Sequence, residues 1–276
     1  MYLTKKASRD RRDYLAECYA NEARFFIEST SVSAEMFIHP LDLNSPTLSE
    51  ADRRHLCWQY YALIYKPAFP AVDETEDPTV WLPLMTGEPP TDKPLVNILL
   101  ATAAADSSAG PDGSLLLGGI NFEYYRTSKA VLITYLCVKS GVRRNGIAKS
   151  LLEWTVDKVH SAYGDVLLFA EAEDPSLQGA STKQIAVTRW EILHHLGFRK
   201  IPVRYRQPSL GAGKHPVDNL KFLVFAGNKS PCVNLFALKQ FMREFYASLG
   251  GELDEANMFF GLTDENVSTL ALVEDK

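Results

Sequence analysis

The residues of this chain best suited to chemistry by type and spacing lie at 138–152, VKSGVRRNGIAKSLL. A short turn here leads into a run with helical periodicity, and the first amides of a helix have no partners within it. Those amides, with the helix dipole behind them, form a site for phosphate oxygens. Gly146 and Ala148 keep side chains away from the backbone, and Arg143, Arg144 and Lys149 surround it with charge. Residues 139–149 carry four positive charges and no negative one. A nucleotide loop of the Gly-Lys-Ser/Thr type is excluded, because no such ending is present. A dinucleotide-binding turn is excluded too, since the first glycine and the acidic residue after the next strand are missing.

Other candidates are weaker. Residues 73–77 (DETED) hold four negative charges after an aromatic-rich stretch with Trp58, Tyr60, Tyr61, Tyr65 and Phe69. That rim would suit a cationic amine, although a solvated loop over core aromatics is the simpler expectation. Cys137 has no His near it in sequence to activate a thiolate, which favours a small buried residue. The adjacent pair His194 and His195 would point about 100° apart on a helix, a poor metal site.

The elements that must position these groups follow from periodicity and breaks. Residues 1–90 read as helical with irregular links. Ser49 and Asp52 mark a helix start, Pro67 its end, and a short helix runs through Trp81 and Leu84. Residues 95–103, 114–125 and 130–138 read as three strands with short turns, an antiparallel meander. Helix is expected at 147–163 and strand at 165–173. A second helix spans 183–196, with Ile185, Ala186, Arg189, Ile192, Leu193 and Leu196 inward, and Gly197 stops it. Strands at 199–206 and 219–226 complete the sheet, and an amphipathic helix follows with Leu238, Phe241, Met242, Phe245 and Leu249 on one face. The fold class is α+β, a mixed, mostly antiparallel sheet with helices on both faces.

The order Arg143-x-x-Gly146-x-Ala148, following Val138 and followed by Leu151 and Leu152, resembles the pyrophosphate-binding motif of the GNAT superfamily of acetyl-CoA-dependent N-acyltransferases. Leu196-Gly197-Phe198 is similar to the close of that superfamily's fourth helix. The resemblance covers roughly residues 95–226. The stretches 204–211 and 171–175 resemble a little-characterised bacterial group within it. It implies that acetyl-CoA is bound by Leu136, Cys137, Val138, Arg143, Arg144, Asn145, Gly146, Ile147, Ala148 and Lys149. The strand holding Leu136–Val138 would splay from the next one, and the pantetheine arm would fill the gap. No metal is implied. The expected reaction is direct transfer of an acetyl group to a primary amine, on a small molecule or a protein lysine.

An alkylammonium has a pKa of about 10.4, so the amine must lose a proton before attack. Glu171 and Glu173, two apart on a strand, share a side, and Glu171 is the first candidate for base or substrate anchor. Glu123, with Tyr124, comes next. Many family members carry a tyrosine where this chain has Leu193; Tyr205, Tyr135 or His194 could replace that acid, or the thiolate could leave without one. The departure also keeps a non-catalytic, CoA-binding module as the alternative.

Composition bounds the rest. The 276 residues are 46% hydrophobic and 23% charged, with net charge −5, as in folded globular proteins. The acidic balance argues against nucleic acid as a partner. No apolar run approaches the ~20 residues needed to span a bilayer, and four scattered cysteines suggest a reduced, cytoplasmic setting. An acyltransferase domain over 1–230 and a helical extension over 231–276 are expected, the latter capping the core or forming a lid or homodimer contact.

Overall fold

The computed structural model describes residues 37–70, 75–86, 89–104, 115–211, 213–227, 232–262 and 269–273. The expected helix around residues 15–26, Cys18 and the first half of the acidic run lie outside them. Strand β1 (Phe37–Asp42) is followed by helix α1 (Glu50–Tyr60) and α2 (Pro78–Met85). The meander comes next: β2 (Leu95–Ala104), β3 (Leu115–Tyr125) and β4 (Ala130–Val138). Helix α3 (Ile147–Tyr163), strand β5 (Leu167–Glu173), helix α4 (Ala180–His195), β6 (Phe198–Lys200) and β7 (Leu220–Phe225) complete the central layer. Beyond it lie β8 (Cys232–Asn234), α5 (Leu235–Ser248), α6 (Glu255–Met258) and β9 (Thr269–Ala271). Seven strands form one sheet in the order β1-β2-β3-β4-β5-β7-β6. Among the described residues, only β4 and β5 pair in parallel.

The helices cover both faces. On one, Ile147, Leu151, Leu152 and Val159 of α3 and Trp190 of α4 pack against Leu99, Ile120 and Phe122. On the other, Phe241 and Phe245 of α5 pack against Tyr125, Phe169 and Phe222, while Tyr60, Tyr65 and Trp81 cover Ile98 and Leu100. Each such ring contributes about 1.5–3 kcal/mol by leaving water. Ser49 caps α1 by accepting from Asp52 N, as its sequence position implies.

Four expectations need correction. Residues 1–90 are not all helical, because β1 pairs with β2 from Phe37↔Ala104 to Asp42↔Leu99. Pro67 does not end the first helix at once: α1 widens into a π turn (Tyr61–Tyr65) and runs on through Ala68. The strand expected at 199–206 stops at Lys200, since Pro202 has no N–H for the ladder. On α4, Ile185 and Ile192 are 53% and 46% exposed. The large ring of Trp190 sets the inward stripe with Ala186, rotating the adjacent stripe of Ile185, Arg189 and Ile192 towards the surface.

Candidate active site

The sheet opens where the chemistry is expected. β4 and β5 pair from Ala130↔Leu167 to Ile133↔Ala170 and no further. Next to the last pair, the β3–β4 register slips between Asn121↔Tyr135 and Phe122↔Ile133, so Thr134 is an extra residue in β4. A bulge of this kind bends its strand. Beyond it Tyr135–Val138 ladder to β3 and Glu171–Glu173 to β7, and a cleft separates the two strands. Leu136, Cys137 and Val138 lie on the β4 side of that cleft.

At its mouth the chain passes through a short 3-10 turn (Ser140–Val142) into α3. Arg144 and Gly146 both take positive φ, 68° and 78°. Gly146 is the N-cap, and no side chain caps the helix. A Cβ placed on Gly146 would meet nothing within 4 Å, so the space in front of these amides is open. Arg143, Arg144, Asn145 and Lys149 are exposed around it, while Ile147 is buried in the core as the anchor of the helix. Arg143 Nε donates to Val138 O at 3.1 Å, which ties the turn to β4. The donor set fits a pyrophosphate: exposed amides, a dipole and three cations at one point.

Deeper in the cleft, three carboxyl groups line a cavity of about 40 Å³: Glu76, Glu123 and Glu171. Glu171 shares its side of β5 with the core residue Phe169, and it is held by the segment that follows β6. That segment leaves the sheet at Pro202 and returns across the cleft. Tyr205 donates its hydroxyl to Glu171 Oε1, and Gln207 Nε2 donates to Oε2 at 2.8 Å. Gln207 is fixed in turn by paired backbone hydrogen bonds with Val217 of 2.9 and 3.0 Å. Burial pushes the Glu171 carboxyl up to about 7 against the pull of these two donors. Burial also pushes Glu123 up to about 8, with the neighbouring charge of Glu76 adding to it, while the hydrogen bond from Tyr125 opposes it.

Glu76 comes from the acidic run. Its amide donates to Tyr65 Oη and its Oε2 accepts from Trp81 Nε1, both at 3.1 Å. Burial raises its carboxyl, with partial relief from Trp81 and Lys214. Lys214, on the loop beyond Gln207, donates to Thr75 O, joining that loop to the acidic run. The aromatics beneath are core: Tyr60, Tyr65 and Trp81 are almost fully buried, and Tyr65 and Tyr135 meet edge to face at 4.7 Å.

The expected site residues therefore divide. Glu123 and Glu171 line the same cavity and Tyr205 bonds directly to Glu171. Glu173 instead pairs with Arg189 at 2.6 Å, and Tyr124 stacks on Tyr163 at 3.8 Å. Cys137 is buried beside Tyr60 Oη at 3.2 Å, and burial pushes its thiol up to about 12, which leaves it inert. His194 stands against Trp190 at the end of α4. Sequence reasoning reads Gln207 only as the start of a loop, 207–213, that could cover the acceptor site, and does not single out Glu76. The only local signals were the Gln-Pro step of a loop and one acidic residue among four.

No family model matches the chain, and no curated protein matches it in sequence. Solved structures do. A GNAT-family acetyltransferase from Bacteroides thetaiotaomicron superposes with a TM-score of 0.51 at 14% identity, over 79% of this chain and 99% of that one. An acyl-CoA N-acyltransferase from Pseudomonas aeruginosa gives 0.42 at 14% identity, over 70% and 100%. The aminoglycoside 6'-N-acetyltransferase of Enterococcus faecium gives 0.41 at 16% identity, over 68% and 96%. The first match defines the class: the chain has the GNAT fold. Its seven-stranded sheet holds one parallel pair, which ends at Ile133↔Ala170. Among the described residues no helix is long and apolar enough to cross a membrane.

Proposed function

We propose that the protein is an N-acyltransferase that moves an acetyl group from acetyl-CoA to a primary amine by direct attack in a ternary complex. The observations that carry this reading are the parting of β4 from β5 beyond Ile133↔Ala170, an uncapped helix start just after β4, and a carboxyl raised to about 7 on the first residue of β5 past the last pair. The amides and cations at 143–149 take the pyrophosphate. The edge of β4 at Leu136–Val138 hydrogen-bonds the extended arm and presents a backbone N–H to the thioester carbonyl, which steadies the charge that grows on its oxygen. Glu171 takes the proton from the incoming ammonium. The C–N bond forms as the C–S bond breaks, the electron pair leaves on sulfur, and the second proton of the ammonium passes to the thiolate or to water.

A thiol of cysteine-like acidity, about 8.5, leaves readily near neutral pH. No strong acid is then required, which accounts for Leu193 at the position where a tyrosine is common. Tyr205 is the nearest hydroxyl to the base. Burial and the Glu171 charge hold it well above its ordinary value, so it serves as a fixed donor that orients the carboxylate and keeps its own proton. The test is thiol release from acetyl-, propionyl- and succinyl-CoA against amines and peptides, with kcat/KM followed against pH. A base near 7 predicts a rise through that value, and Glu171→Gln should abolish the inflection. Binding of CoA with no amine-dependent thiol release would leave only a CoA-binding module.

A further inference from the structure

Gln207 uses only one end of its amide. Nε2 donates to Glu171, while Oε1 is buried without a partner. The residue is only 7% exposed and lines the cavity. The amide cannot be reversed to better effect, because both Glu171 oxygens already accept, one from Tyr205 and one from Gln207. An unpaired buried carbonyl is destabilising, and a donor at that point would satisfy it. The other polar lining is biased the same way. Glu76 and Glu123 add carboxyls, Thr134 directs its hydroxyl to Asn121 O at 3.3 Å, and Tyr135 shares a hydrogen bond with Tyr65. The nearby lysines are engaged at its edges: Lys214 donates to Thr75 O and Lys93 to Ser248 O.

The cavity thus offers acceptors, and the charge of Glu171 once it ionises near 7, to something that donates hydrogen bonds and carries a positive charge. A metal ion is a poor match, since the described residues form no group of three such ligands close enough to hold one. A primary ammonium matches, with three N–H donors on one small atom. Size narrows the choice. About 40 Å³ is room for only a few waters, at ~10–15 Å³ of probe volume each. The walls of Leu132, Leu210 and Phe245 leave room for a CH2–NH3⁺ group and none for a ring. We infer that this cavity is the ammonium subsite of the acceptor, where Glu76 and Gln207 select an unbranched primary alkylamine over ring-borne and secondary amines. The inference names the substrate class of the acyl-transfer reading and rests on it.

Calorimetry with the full chain tests it without turnover, using n-butylamine, cyclohexylamine, N-methylbutylamine and n-butanol in the presence of CoA. The expected result is binding of n-butylamine, with the other three at least tenfold weaker. Glu76→Gln and Gln207→Leu should each weaken n-butylamine at least tenfold, with unchanged melting temperatures showing that they fold. Equal binding of n-butylamine and cyclohexylamine by the unmodified protein would overturn the inference without any variant. So would folded variants that bind n-butylamine normally. Thiol release separates the two readings. Selective n-butylamine binding with no release upholds the subsite and removes acyl transfer. Release with equal preference for cyclohexylamine keeps acyl transfer and removes the subsite.

Discussion

The two ends of the cleft are built on opposite plans. At the mouth, the basic turn is exposed, contiguous in sequence, and made largely of backbone. Its side chains mostly stay out of the way, and its cations sit in water, where salt screens them. The inner cavity is enclosed and made of side chains from four separated places: Glu76 before α2, Glu123 on β3, Glu171 on β5, and Gln207 on the returning loop. Poor hydration there raises carboxyl pKa values to about 7 and 8. An exposed backbone site tolerates loss of any one cation, whereas an enclosed side-chain site depends on each member.

The sharpest way to break this comparison is to damage the backbone plan itself. Gly146→Glu puts a side chain at a φ of 78°, where an L-residue costs about 1–2 kcal/mol, and a negative charge where an anion must sit. Apparent KM for acetyl-CoA should rise more than about 100-fold, read from initial rates and checked by CoA calorimetry. Normal CoA affinity in this variant would move the anion site elsewhere. Loss of the proposed base comes next: Glu171→Gln should cut kcat by about 10²–10⁴-fold near pH 7, with little change in CoA affinity. The remaining rate should track deprotonation of the amine itself, rising up to pH ~10.

Stability offers a smaller test of the enclosed plan. Glu123 has a folded value of about 8, against about 4.3 when unfolded. Between those values the folded state holds more protons, so this group makes stability fall as pH rises. Glu123→Gln removes the penalty. It should stabilise the protein by up to about 5 kcal/mol at pH 8.5 and change little at pH 4.5, measured by urea unfolding at both pH values. The smallest effect belongs to the exposed plan. Arg144 adopts a φ of 68°, so Arg144→Gly should relieve roughly 1 kcal/mol of backbone strain while weakening acetyl-CoA less than about tenfold. That weakening should shrink as salt is added.

How far the sequence could be read follows the same division. The turn at 143–149 was legible because its parts are adjacent and its physics, unpaired amides at a helix start, is local. The meander and α3 were legible for a similar reason: short turns and helical spacing bring neighbours together. Strand β1 was hidden, since its pairing partner β2 lies more than fifty residues away and its segment FIHPLD lacks clear alternation. On α4, packing of Trp190 overrode the stripe of aliphatic residues. Of the two glutamates on β5, spacing gave the same side to both and could not tell the one lining the cavity from the one paired with Arg189.

By itself, then, the sequence determined the class of fold, the basic turn that opens the helix at 147–163 and the short list that includes Glu171, Glu123 and Tyr205. Tertiary structure decided which members of that list meet. It ended β6 at Lys200 and carried Tyr205 and Gln207 across the cleft onto Glu171. It also brought Glu76 in from a run of four acidic residues to face them. The physical reason is burial. A backbone anion site needs only a local turn, but a carboxyl acquires a pKa near neutrality only when distant parts of the chain close around it and exclude water.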